Sequence, residues 1–175
     1  MNENKLQVAG YVKLAKLWER YKDAAIENQY RFYGELFEDS EDFELVDVYI
    51  DITGQKTIPK RPEMVRLLHD CMAGKIDVIA TQTRAYLAAN AAEFCYLVKF
   101  LFELETTIDI ITEDEQYKID TLVDEDGQRE ALLAMADQFV SMTQIKYADW
   151  LERLLQSMER LGLMDQEGDE YGKRE

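Results

Sequence analysis

A chain of 175 residues, 47% apolar and 32% charged with eight Gly and two Pro, has the size and composition of one globular domain with a real core, which excludes a disordered or fibrous polymer. Its formal charge of −16 opposes a phosphate backbone, because nucleic-acid binders gain affinity by neutralising phosphates with Lys and Arg; weak or no direct DNA binding is expected of the chain alone. Cys71, Cys95 and the single His69 give neither a disulfide framework nor a metal-ligand spacing, so buried reduced thiols are expected and no metal.

From Lys5 to Leu14 the apolar residues Leu6, Val8 and Val12 fall on alternate positions, as in a half-buried strand, and Val46, Val48 and Ile50 repeat the pattern from Phe43 to Ile50. Between them Leu17, Trp18, Tyr21, Ala25, Ile26, Gln29, Tyr33 and Leu36 recur at helical spacing and predict one helix lying on a sheet. A loop through Gly54 and Pro59 to Pro62 leads to an apolar stripe of Met64, Leu67, Leu68, Cys71 and Met72, closed by Gly74. Ile76 to Thr81 then reads as a short buried strand, Phe94 to Phe102 as a helix and Thr107 to Thr112 as another strand. This alternation predicts an α/β fold: a mixed, mostly parallel central sheet of four to five strands flanked by helices, with residues 1–126 as its unit.

Residues 128–161 hold neither Pro nor Gly. Read as one continuous helix they would extend about 50 Å, longer than one small domain covers. The exposed side then needs a partner, and a dimerisation helix over 127–161 is expected to use Leu132, Met135, Phe139, Met142, Trp150 and Leu154. Two helices with a break near Thr143 are the alternative, since β-branched and polar residues cluster there. Residues 162–175 read as an acidic tail, with no separate DNA-binding domain after Leu161. The N-terminus lacks a basic segment followed by an apolar one, and no run approaches the about 18 apolar residues of a membrane span, so a cytoplasmic location is expected. Neither a glycine-rich dinucleotide fingerprint nor a Walker loop is present, and no cofactor is expected.

Several segments carry a resemblance when taken in order: Ala9-Gly-Tyr-Val-Lys13 with Leu14-Ala15, Ile26-Glu-Asn-Gln29, Tyr49-Ile-Asp51 with Gly54, Arg61-Pro62, Ala73-Gly-Lys-Ile-Asp77, Leu87-Ala-Ala-Asn90 and Ile119-Asp-Thr121. In order and spacing, across roughly residues 5–160, they resemble the catalytic domain of the serine recombinases, the resolvase/invertase family. The resemblance implies a resolvase-like α/β domain and a setting in mobile genetic material. It also implies a chemistry in which a serine after the first strand attacks a DNA phosphodiester and holds the broken strand as a phosphoserine. Because negative charge grows on the phosphate in the transition state, that chemistry needs several guanidinium groups around the hydroxyl.

Position by position, the resemblance implies that the chemistry is gone. The family's Tyr-x-Arg-x-Ser corresponds to Tyr11-Val-Lys-Leu-Ala15, with a methyl group where the nucleophile belongs and Lys13 for an arginine. The family's Ser/Asp-Arg-x-x-Arg-Asn corresponds to Ala85-Tyr-Leu-Ala-Ala-Asn90, where Tyr86 and Ala89 replace both arginines. Gln29 and Arg61 still match family positions. Arg84 stands two residues out of register and, on a strand, would face away, although a shifted alignment would restore it. The expected role is that of an inactive interaction or regulatory subunit, a homodimer or a heterodimer with an intact serine recombinase, in a family whose synapse uses four cutting subunits. Repurposed strand cleavage, or an acidic accessory protein docking on a basic partner, are the alternatives.

Overall fold

A computed structural model describes residues 5–114 and 118–164. In chain order the elements are β1 (Leu6–Leu14), α1 (Lys22–Phe37), β2 (Phe43–Ile52), α2 (Pro62–Met72), β3 (Val78–Thr81), the single turn α3 (Arg84–Leu87), α4 (Ala91–Phe102), β4 (Asp109–Thr112), α5 (Gln128–Met142) and α6 (Gln144–Arg160). Short 3-10 turns occupy Lys16–Tyr21 and Ile58–Lys60. The sheet has four strands in the order β2-β1-β3-β4, each neighbouring pair parallel. One isolated antiparallel bridge, Ile111 to Asp120, adds a short return beside β4.

The alternation of side chains along β1 divides the molecule. Val8 and Val12 point to one face, where Tyr33 of α1 joins Val48, Val78 and Ala80 in a small cluster. Ala9 and Tyr11 point to the other, where α2, α4, α5 and α6 build the main core from residues such as Leu67, Leu97, Ile110 and Leu154. Gly10 is required beneath α1, because a Cβ there would lie 2.9 Å from the Tyr33 ring. The close approach lets Tyr33 Oη donate to the Tyr11 carbonyl at 3.4 Å, beside Thr81 Oγ1, which donates to the same oxygen at 2.7 Å.

Two expectations need correction. The first helix begins at Lys22 and not at Leu17: residues 16–21 form a 3-10 turn in which no residue is buried, and Leu17, Trp18 and Tyr21 stand exposed. The chain after Gly127 is two helices and not one. α5 packs on α4, the chain turns at Thr143, and α6 returns onto α2 and the Ile58–Lys60 turn. Tertiary bonds hold that return: Trp150 Nε1 donates to Glu93 at 2.9 Å, and Ser157 Oγ donates to the Pro59 carbonyl. Of the tail expected over 162–175, Leu163 and Met164 pack against the core, while residues 165–175 lie outside the described residues, as do 115–117 of the acidic loop. Cys71 and Cys95 are buried and reduced, and burial pushes both thiols up. Among the described residues no helix is long and apolar enough to cross a membrane.

Candidate functional site

In a parallel sheet ordered 2-1-3-4 the direction of winding reverses between β1 and β3, and the crevice outside the carboxyl ends of those two strands is where such a fold places ligands. β1 runs out into Ala15 and β3 into the Thr83–Asn90 segment, so the positions singled out in the sequence gather at this end. What they do there differs sharply.

Arg61 is wholly buried at the N-terminus of α2. Its guanidinium donates to Tyr11 Oη at 3.0 Å, to the Tyr86 carbonyl at 2.7 Å and to the Leu87 carbonyl at 2.6 Å. Tyr11 Oη in turn donates to Asp51 at 2.8 Å. Burial, reinforced by Asp51, pushes the Tyr11 phenol well above its ordinary range despite the opposing Arg61, so it stays a donor. The Asp51 carboxylate also accepts from the Glu63 and Met64 backbone N–H groups, each at 2.9 Å. It thereby caps a helix whose own N-cap residue, Arg61, supplies no capping side chain. Asp51, Tyr11 and Arg61 therefore form one buried strut linking β1, β2, α2 and α3. Arg61 Nε keeps no partner among the described residues, but it is sealed from solvent with the rest of the side chain.

Lys13, opposite Asp51 in the β1–β2 register, is half-buried. Its amine is held below its ordinary pKa, first by burial, then by Arg61 and Lys56, with Asp51 opposing. Ala15 is exposed at the start of the 3-10 turn. Gln29, on α1, is half-buried, and its Oε1 has no hydrogen-bond partner among the described residues. The nearby hydroxyls at the end of β3 are engaged, Thr81 Oγ1 with the Tyr11 carbonyl and Thr83 Oγ1 with Asp114 at 3.2 Å.

On the other side, Ala85 and Ala89 are exposed, and Tyr86 is half-buried between the two apolar clusters. A cleft of about 540 Å³ opens here between Ala85, Ala89, Phe94, Ile119, Leu132 and Met135. Arg84 and Lys118 also line it, whereas Lys13, Ala15, Gln29 and Arg61 do not. The strand geometry that would have turned Arg84 away does not apply, because residues 84–87 are a helical turn, with Thr83 Oγ1 accepting from the Ala85 N–H. The Arg84 guanidinium lies 5.8 Å from the Phe94 ring centre.

The six residues expected on a partner-facing helix separate at Thr143. On α5, Met135 and Met142 are exposed and Leu132 and Phe139 half-buried. Trp150 and Leu154 are instead in the protein's own core, 6% and 0% exposed, because α6 folds back. Sequence reasoning missed Glu93 altogether. Its buried carboxylate accepts from Thr57 Oγ1 at 3.0 Å, the Ile58 N–H at 2.7 Å and Trp150 Nε1. Its only signal was an acidic residue three positions after Asn90, the N-cap that accepts from the Glu93 N–H. No group of three or more His, Cys, Asp or Glu able to hold a metal ion occurs among the described residues.

Chemically, this end of the sheet offers no free hydroxyl at position 15, and its buried guanidinium is turned to protein oxygens. The family model for the resolvase N-terminal domain matches residues 15–160, which leaves Tyr11 and Lys13 just upstream. Among solved structures, the N-terminal catalytic domain of TP901-1 integrase is similar at 19% identity and a TM-score of 0.53, over 79% of this chain and 96% of that one. A resolvase family site-specific recombinase from Streptococcus pneumoniae is similar at 15% identity and a TM-score of 0.51, over 87% of this chain and 99% of that one. Among curated proteins no sequence relative is found.

Proposed function

Because the chain belongs to the family of resolvase N-terminal domains, we propose that it is a non-catalytic member, which acts in site-specific DNA recombination by associating with other subunits. The observation that carries this reading is Ala15, exposed directly after β1, the position to which the sequence resemblance assigns the family's nucleophile. Transesterification at phosphorus begins with a hydroxyl oxygen forming a bond to the phosphorus, and a methyl group has none to offer. The surroundings support the same reading. Three N–H donors of Arg61 are spent on Tyr11, Tyr86 and Leu87, and Tyr86 and Ala89 provide no guanidinium for developing charge. Losing one such donor costs about 10²–10³ in rate, so the combined loss leaves no useful cleavage by this route.

The net charge of −16 supports association with protein rather than with DNA. The partner is a second copy or an intact serine recombinase, met through the exposed side of α5 that carries Met135 and Met142. In a mixed assembly this chain would hold the place of a subunit that cuts, and strand exchange would stop. The catalytic half of the reading is tested by incubating the protein with supercoiled DNA, quenching with detergent and looking for protein covalently joined to DNA. No adduct is expected from the natural chain, and none from Ala15→Ser, which restores the hydroxyl without the clamp. A phosphodiester-linked adduct on the natural chain would overturn it.

A further inference from the structure

The cleft of about 540 Å³ beside α3 is walled by segments that the fold holds in place. Its inner part is apolar: Ala88, Phe94 and Ile119 line it and are buried, and Leu132 and Met135 add to it from α5. Ile119 belongs to the short return beside β4. Its N–H donates to Thr112 Oγ1 at 2.9 Å, and its carbonyl accepts from the Thr112 N–H at 2.8 Å. Gln128 fastens that return to the start of α5, because its Nε2 donates to the Lys118 carbonyl at 3.1 Å and its Oε1 accepts from the Asp120 N–H at 2.8 Å. The methyl side chains of Ala85 and Ala89 leave the space between these walls unfilled, at a size within the about 300–1000 Å³ of small-molecule sites.

Among the described residues two cations, Arg84 and Lys118, line this apolar space in a chain whose net charge is −16. Both are exposed, and the Arg84 guanidinium lies 5.8 Å from the Phe94 ring centre, against the apolar wall. Asp120, Asp124 and Asp126 line a separate hollow beyond Lys118 and Gln128, the two residues common to both. We propose that the cleft binds a medium-chain monocarboxylate, its carboxylate held by Arg84 and Lys118 and its hydrocarbon laid over Phe94, Ile119 and Leu132. The hydrocarbon gains by leaving water for these side chains, which a bare oxyanion would leave wet. One negative charge is matched by the two cations, and each further one would be repelled by the acidic chain around it. A DNA backbone, polar and charged along its length, meets neither condition. This binding goes beyond the association proposed through α5 and does not depend on it.

The probe is octanoate, titrated into the isotopically labelled full chain and followed by amide shifts, with octan-1-ol as its uncharged match. The expected result is saturable shifts centred on Ala85, Ala89, Ile119 and Leu132, with octan-1-ol binding about fivefold more weakly. Ala89→Leu, which fills the space from an exposed position, should weaken octanoate about tenfold and leave amides remote from the cleft unmoved. Arg84→Gln with Lys118→Gln should instead bring octanoate down to the affinity of the alcohol and leave the alcohol's own affinity unchanged. Octanoate shifts that do not saturate, or that centre away from the cleft, would overturn the proposal. So would octan-1-ol binding as tightly as octanoate, or octanoate binding that neither variant alters.

Discussion

Arg61 and the Ala85–Ala89 stretch meet at one end of the sheet and contrast there. Arg61 carries a guanidinium that is bonded inward, to Tyr11 and to the carbonyls of Tyr86 and Leu87. Ala85 and Ala89 carry no charge and lie open to solvent on the rim of a cleft. A charged side chain in a sequence is therefore a poor guide to chemistry. Arg61, which the sequence resemblance marks as a family position, has the burial of a core residue, while Ala85 and Ala89, which are open to solvent, carry no charge. In a working phosphate clamp, substitutions on both sides would damage activity; here one side should govern stability and the other almost nothing.

The sharpest way to break that contrast is Arg61→Ala. Removing the side chain strands the Tyr86 and Leu87 carbonyls, takes from the Tyr11 hydroxyl the donor it accepts from and leaves a cavity, and a loss of about 3–5 kcal/mol is expected in urea unfolding. A loss below about 1 kcal/mol would mean that the strut is not part of the fold. Next in size, Glu93→Ala deprives Thr57, Ile58 and Trp150 of their shared acceptor, for about 2–3 kcal/mol, and faster amide exchange in α6 should accompany it. Ala89→Arg, returning a guanidinium to the exposed side, should stay within about 0.5 kcal/mol of the natural chain. The smallest effect is at Lys13. Burial, then Arg61 and Lys56, lower its pKa, so as pH rises it should become reactive to an amine-acetylating reagent earlier than the side chain of a free lysine derivative. Site-resolved mass spectrometry across pH would show this, and a Lys13 inflection at or above that of the free derivative would count against the burial and the cations that surround it.

The α/β alternation was legible because Val8, Val12, Val48 and Ile50 carry a strand period and Met64 to Met72 a helical one, each with local turn residues at its ends. The placement of Lys13, Ala15 and the Ala85–Ala89 stretch at one end of the sheet followed from their positions, Lys13 in the last residues of β1, Ala15 directly after it and Ala85–Ala89 after β3. The inward turn of Arg61 was not legible, since its acceptors come from Tyr86 and Leu87, which only the assembled fold brings near. The bend at Thr143 was marked only by the β-branched and polar residues clustered there; the Thr143 hydroxyl donates to the Phe139 carbonyl one turn back, and the return of α6 is then held by a distant glutamate and a tryptophan. Leu17, Trp18 and Tyr21 mislead in the opposite sense, because periodicity reports an apolar face and not whether anything covers it.

The proposal that the chain acts by joining and silencing cutting subunits is tested most directly by titrating it into strand exchange catalysed by the intact serine recombinases of its own cell. The account predicts that exchange by one of them falls by half near equimolar chain. It also predicts relief by Met135→Glu with Met142→Glu on α5, two exposed positions where charge leaves the fold intact. Strand exchange unaffected for every one of these recombinases at a tenfold excess of the chain would contradict it.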